Sequence, residues 1–259
     1  MAKEEKKSVW WKDPTLWLAV LFIGLIAIDQ LTKIWADHYF IDVLQNPHGR
    51  IKIIPGVIEI CMEYNRGIAF SSFSGASMGW KIVIVVGTAL LMCGLTFLFF
   101  KLDKRRGLLR IALVFIVAGG VGNLIDRIMY RVWDPATATG IRDGVRDMVR
   151  LKLIFDFGVC NFADFFIVAG AVMLALAMLF FDADAVFPMT KKYKALAKEY
   201  EEKEERKKAK KAAQKAGIEL DESAEENAEE NAEERVSEIA VEETESIETT
   251  EETDGENHG

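Results

Sequence analysis

The chain lacks the residues that metal, disulfide or phosphate-binding proteins need. Its three cysteines, Cys61, Cys93 and Cys160, have no CxxC spacing, and nothing in their pattern suggests a disulfide framework. Its three histidines, His38, His48 and His258, are scattered, with no HExxH pair and no His/Cys cluster, so a zinc site has no donor set. No glycine-rich phosphate-binding loop is present. Neither a metal nor a cofactor is expected. Residues 219–259 lack aromatic residues altogether and hold eighteen Asp or Glu against a single Arg. Such a run cannot offset its ordering entropy and is expected to be a disordered acidic tail. The total charge of −8 therefore hides a preceding body of +9.

Four stretches lack the polar stripe of a soluble helix. Residues 16–35, 80–100, 107–128 and 164–181 each approach the ~20 residues that a membrane-spanning helix needs. The run "IVIVVGTALLMCGLTFLFF" (82–100) is apolar all round, unlike a helix of a soluble bundle. The expected fold is an all-α polytopic membrane protein with four transmembrane helices. "MAKEEKK" resembles the start of a secretion signal, but no small-residue cleavage site follows, so the first span is read as an uncleaved anchor. Lys3, Lys6, Lys7 and Lys12, the link "KLDKRR" (101–106) and the basic segment after the fourth span fall on one side of a four-span topology. The positive-inside rule makes that side cytoplasmic.

The expected organisation is an N-terminus at 1–15, a four-span domain at 16–186, a basic juxtamembrane segment at 187–218 and the tail at 219–259. Outer loops fall at 36–79 and 129–163. In the first, "VIEICMEY" (57–64) alternates polar and apolar residues, and "RIKII" with Pro55-Gly56 precedes it. This predicts a small extracytoplasmic antiparallel sheet, its apolar face on the membrane surface or the helix ends. The second outer loop carries Arg131, Arg142, Arg146, Arg150 and Lys152, which weaken the charge bias without reversing it. Residues 191–215 are expected to rest on anionic headgroups. Nucleic acid is not an expected partner, because the neighbouring acidic tail repels phosphate.

Within the spans, charge is rare and therefore informative. Spans one and three run outward and span four runs inward. Asp29, Asp126 and Asp164 consequently converge toward the outer leaflet, with Asp29 about 20 Å from the start of its helix at 1.5 Å per residue. Asp29 and Lys33 have the i, i+4 spacing of an ion pair. Asn123, Asp126 and Arg127 share a helix face, and Asn161 precedes Asp164 by three, where it can cap the helix. Ala118, Gly119 and Gly122 permit close helix approach. The alternative is that these acids are solvated interfacial caps, which suits Asp164 at a helix N-terminus and suits Asp126 less. Two nearby carboxylates share a proton, so one can activate water while the other polarises a carbonyl.

The blocks "DQLTK" (29–33), "EYNRGIAFS" (63–71), "AGGVGNLIDRI" (118–128), "VRDM" (145–148) and "CNFADFFI" (160–167) resemble, in order, those of the lipoprotein signal peptidase (signal peptidase II) family. The resemblance spans about residues 14–182. It implies a four-span aspartic endopeptidase of the bacterial inner membrane, with both termini cytoplasmic and the active site near the outer leaflet. Such an enzyme cleaves diacylglyceryl-modified prolipoproteins before the lipidated cysteine and is sensitive to globomycin. By resemblance, Asp126 and Asp164 form the catalytic dyad, and Asp29, Lys33, Asn65, Gly67, Asn123, Arg127 and Asn161 support it or contact substrate. Prolipoproteins and membrane lipids are the expected partners, and a monomer is expected. Cys160, Ile68, Phe165-Phe166 and a longer segment at 131–157 depart from the family pattern.

Other readings predict other features. A proton-coupled transporter predicts pseudo-symmetric halves with midplane acids, and no internal repeat is visible. A serine protease at Ser71 or Ser72 lacks an intramembrane histidine to activate it. A non-enzymatic assembly factor, with its polar residues as helix glue, would tolerate Asp126→Asn.

Overall fold

The computed structural model describes residues 13–67, 77–132, 134, 144–152, 156–182, 185 and 191–216. The expected acidic tail, Ser71, Ser72, Ile68 and most of the 131–144 stretch lie outside these residues. Four helices are long and apolar enough to cross a membrane: α1 (Pro14–Asp37), α2 (Met78–Lys101), α3 (Gly107–Met129) and α4 (Phe162–Phe180). A fifth, α5 (Lys191–Ala216), is strongly polar. The chain forms two compact units, Met1–Leu174 and Ala175–Gly259. In the second, Leu196 is buried with Tyr193, Ala195 and Tyr200 packed against it.

The helix ends follow local chemistry. Asp13 caps α1 by accepting from the Thr15 N–H at 2.9 Å, and Pro14 takes the first helical position, where its missing donor costs nothing. Beyond Asp37 the chain continues as a π-helical segment, His38–Val43, so the first apolar helix outlasts the expected 16–35. The outward faces of α1 and α2 are apolar and exposed, as with Ile23, Leu31, Leu90 and Phe97, which suits hydrocarbon rather than water. The inner face of α1 packs with α3 through Leu25, Val114 and Ala118, and Phe166 joins from α4. Gly119 and Gly122 serve the close approach expected of them. A Cβ on Gly119 would stand 2.3 Å from the Ala163 carbonyl, and one on Gly122 would stand 2.5 Å from Asp29 Oδ2.

The sheet has four strands, twice the two that the sequence suggested. β1 (Ile51–Ile54) and β2 (Ile58–Asn65) form the expected hairpin; β3 (Val145–Lys152) and β4 (Asp156–Cys160) extend it antiparallel in the order β1-β2-β3-β4. A register irregularity between Ile60 and Glu63 breaks the alternation of β2, which buries Cys61 and Met62 in succession. Glu59, expected on the polar face, is buried but holds Arg50 at 3.1 Å. The apolar face of the sheet rests on the helix end. Met62, Met148 and Val149 pack with Ala36 of α1 and Phe40 of the π-helical segment.

Candidate active site

The end of α3, the start of α4, the middle of α1 and the sheet meet in one buried polar network. Asn161, fully buried, precedes α4 and forms a reciprocal cap with its first turn. The Asp164 N–H donates to Asn161 Oδ1 at 3.1 Å, and the Asn161 N–H donates back to Asp164 Oδ2 at 3.1 Å. This satisfies two otherwise orphaned helix donors and aims the Asp164 carboxylate. Its other oxygen accepts from Asn123 Nδ2 at 2.8 Å. The expected role of Asn161 as a cap is therefore seen directly.

Asp29 and Lys33 form the expected i, i+4 pair at 2.8 Å, with both side chains wholly buried. The Ala163 N–H donates to Asp29 Oδ1 at 2.9 Å, tying α1 to the start of α4. Lys33 Nζ donates also to Asn123 Oδ1 at 3.0 Å and lies 3.5 Å from Asp126 Oδ2. The ammonium thus donates to two partners and faces a second carboxylate at ion-pair distance. Arg127 reaches the Asn123 carbonyl at 3.4 Å and the Gly67 carbonyl at 3.3 Å. It lies within electrostatic range of Asp164, Asp147 and Asp126. Gly67 is held by its N–H donating to Asn65 Oδ1 at 2.8 Å, a local turn bond.

Asp126 has a different environment from the one its position on α3 suggested. Arg146 of β3 grips it, with Nη2 at 2.7 Å from Oδ1 and both Nε (3.3 Å) and its backbone N–H (3.0 Å) on Oδ2. Arg146 also donates to Gln30 Oε1 at 3.0 Å, and its guanidinium lies over the Tyr130 ring. Asp126 is thus the buried counter-ion that pins β3 to the helices.

The acid that shares Asn161 with Asp164 is Asp147, next in sequence to Arg146. It is 4% exposed. Asn161 Nδ2 donates to its Oδ1 at 2.6 Å and Asn65 Nδ2 to its Oδ2 at 3.2 Å. Asn65 pairs with Val145 across β2 and β3, so Asn65 and Asp147 are diagonal neighbours on one face. Burial and then the nearby Asp164 charge push the Asp147 carboxyl up to about 7, against the pull of Asn161, Asn65 and Lys33. The sequence reading missed this residue, although "VRDM" was among the recognised blocks. The signal was an acid in that block, on the loop rather than in a span.

Every other residue singled out as a site candidate lies in this cluster. Of the charged groups bound into it, Lys33, Arg127 and Arg146 are cationic, while Asp29, Asp126, Asp147 and Asp164 are acidic. Asp29 and Asp126 sit against Lys33 and Arg146, whereas Asp147 and Asp164 share Asn161. Cys160, beside them, donates its thiol to the Val149 carbonyl at 3.2 Å and is pushed up to about 12 by burial, so it is no nucleophile at neutral pH. Among the described residues, no group of His, Cys, Asp or Glu side chains is arranged to hold a metal.

Known proteins place this architecture. A family model described as signal peptidase (SPase) II matches residues 21–180. The lipoprotein signal peptidase of Clostridium novyi (strain NT) is 31% identical over 160 residues, covering 62% of this chain and 95% of that protein. That of Deinococcus radiodurans is 32% identical over 193 residues, covering 71% of this chain and 86% of that protein. A solved structure of a bacterial membrane enzyme, 23% identical, superposes with a TM-score of 0.50 over 62% of this chain and 87% of the other, and shares the fold. With its four apolar helices, its four-stranded antiparallel sheet and a family match over more than half its length, the chain belongs to the signal peptidase II family, the membrane peptidases that remove signal peptides from prolipoproteins.

Proposed function

We propose that the protein is an aspartic endopeptidase that cleaves diacylglyceryl-modified prolipoproteins before the lipidated cysteine, with Asp147 and Asp164 as its catalytic pair. One observation carries the reading. Two acids are bridged by Asn161 in a buried cluster, and burial beside Asp164 pushes the Asp147 carboxyl up to about 7, poised to hold a proton at neutral pH. The ionised partner takes a proton from a water between them, and the water oxygen attacks the scissile carbonyl. The protonated partner donates to the developing oxyanion. When the tetrahedral intermediate collapses, a proton passes to the leaving amine. The apparent pKa values belong to the pair. Asp164, half-buried, is the more accessible member.

In this proposal Asp126 leaves the dyad that the sequence suggested and becomes a positioning residue, because its carboxylate is committed to Arg146 and Lys33. Asp29, Lys33, Asn123 and Asn161 hold the pair in register, while Asn65, Gly67 and Arg127 border the substrate side. The basic 101–106 link supports cytoplasmic termini. That orientation leaves the site, at the sheet end of the helices, near the outer leaflet, level with a diacylglyceryl group. The enzyme acts as a monomer among membrane lipids and is inhibited by globomycin.

The test is cleavage of a synthetic diacylglyceryl-cysteine precursor peptide in detergent. Wild type is expected to cleave it before the cysteine, to leave the unlipidated peptide largely intact and to lose activity with globomycin. Asp147→Asn and Asp164→Asn are expected to abolish turnover. Full activity in Asp147→Asn would overturn the pair.

A further inference from the structure

Beside Asp29 on α1 stands Gln30, a neutral side chain whose amide is bonded at both ends. Its Nε2 donates to Asp29 Oδ2 at 2.9 Å and to the Gly122 carbonyl of α3 at 3.1 Å. Its Oε1 accepts from Arg146 Nη2 of β3 at 3.0 Å. The amide fits only this way round, because a guanidinium has no acceptor for an NH₂, while a carboxylate and a carbonyl have no donor for the oxygen. Gly122 keeps the approach open, since a Cβ there would stand 2.5 Å from Asp29 Oδ2. One side chain thus joins α1, α3 and β3.

Arg146 is the residue on which this link acts. Neighbouring residues on a strand turn to opposite faces, so the direction in which Arg146 is held fixes the direction in which Asp147 leaves β3. Asp126 of α3 takes Nη2 and Nε of the guanidinium, and the Tyr130 ring, just past α3, lies 5.5 Å from its central carbon. Both of these holds come from one end of α3. Among the described residues, Gln30 is the hydrogen-bond partner that α1 supplies to Arg146. A guanidinium donor on an amide oxygen is charge-assisted and stronger than a bond between two neutral groups. Through it Arg146 is also tied to Asp29, which accepts from the Ala163 N–H beside Asp164.

We propose that Gln30 is a positioning residue of the peptidase, locking Arg146 to α1 and thereby holding Asp147 in register with Asp164. The inference rests on Asp147 and Asp164 being the catalytic pair. Gln30 acts through Arg146 and not on the substrate, so its loss falls on kcat and leaves KM in place.

The experiment uses the full chain in detergent with the diacylglyceryl-cysteine precursor peptide, and kcat is expressed per folded molecule as read by thermal melting. Gln30→Met keeps the length and loses every bond of the amide, and Gln30→Asn stays polar but falls one methylene short of Arg146. Each is expected to lower kcat about tenfold, the equivalent of about 1.4 kcal/mol, with KM within about twofold of wild type. Gln30→Glu keeps an acceptor facing Arg146 and should lose no more than about threefold. Arg146→Lys keeps a charge for Asp126 but gives up the fork that spans Asp126 and Gln30. It should lower kcat by itself, and adding Gln30→Met to it should cost less than about twofold more, the non-additivity of two residues that act as one unit. Wild-type kcat in both Gln30→Met and Gln30→Asn, a loss confined to KM, Gln30→Glu as slow as Gln30→Met, or a full loss repeated in the Arg146→Lys background would overturn the proposal. Failure of the catalytic pair reads differently, as cleavage by Asp147→Asn with Gln30 intact.

Discussion

Replacing Asp147 by asparagine should abolish activity and yet make the protein relatively more stable as the pH rises. An ordinary aspartate titrates at 3.8, and burial beside Asp164 brings Asp147 to about 7. That gap corresponds to about 4 kcal/mol at ~1.4 kcal/mol per pH unit. Because the folded value lies above the unfolded one, the native state holds the proton more tightly. The carboxyl adds little penalty below about pH 4, and the penalty grows as pH rises to about 7, where it levels off. An amide carries no such penalty. It does leave one of the donors from Asn161 and Asn65 facing an NH₂ group, a pH-independent cost of about 1–3 kcal/mol. Between pH 5 and pH 8 the variant should therefore gain about 2–3 kcal/mol on wild type. Paired measurements would follow reversible unfolding in mixed micelles and precursor cleavage across that range. Wild-type kcat/KM should fall above an apparent pKa of about 7, while the variant should lose about 10²–10⁴-fold, the usual contribution of a proton-transfer group. A stability difference flat between pH 5 and 8, or an active variant, would refute the assignment.

Three further outcomes follow from the same contacts. Asp126→Asn leaves the buried Arg146 guanidinium without its counter-ion, which should cost about 3–5 kcal/mol of stability; thermal melting would read this, and the folded fraction should keep the wild-type alkaline limb. Asn161→Ala removes a bond that holds the Asp147 pKa down together with the α4 cap, so the alkaline limb should move to higher pH and stability should fall by about 1 kcal/mol. Gly119→Ala would force a Cβ to within 2.3 Å of the Ala163 carbonyl; separating α3 from α4 should cost about 1–3 kcal/mol and lower kcat, as unfolding and cleavage assays would show.

Much of this protein was legible before any coordinates, because membrane helices are specified by composition over a length set by the bilayer. The four spans lie within a few residues of their expected places, and the β1–β2 hairpin follows its alternation and its Pro-Gly turn. The Asp29–Lys33 pair and the Asn161 cap are helix-spacing effects and needed no tertiary information. Gly119 and Gly122 likewise announced a close helix contact.

Asp147 was not legible, for a physical reason. β3 is buried through Val149 from its first residue, yet it carries Arg146 and Asp147 there, so it shows neither the alternation of a half-exposed strand nor the apolar run of a covered one. Its charges are tolerated because Asp126 from α3 and Asn161 at the start of α4 meet them, which is a fact of assembly rather than of local sequence. Reasoning from helix depth could place Asp126 and Asp164 at one level, but it could not see β3 bringing Arg146 to Asp126 and Asp147 to the Asn161 that also holds Asp164. The chain by itself determined where charge enters the apolar layer. Only the tertiary structure decided which acid is neutralised by an arginine and which stands beside Asp164.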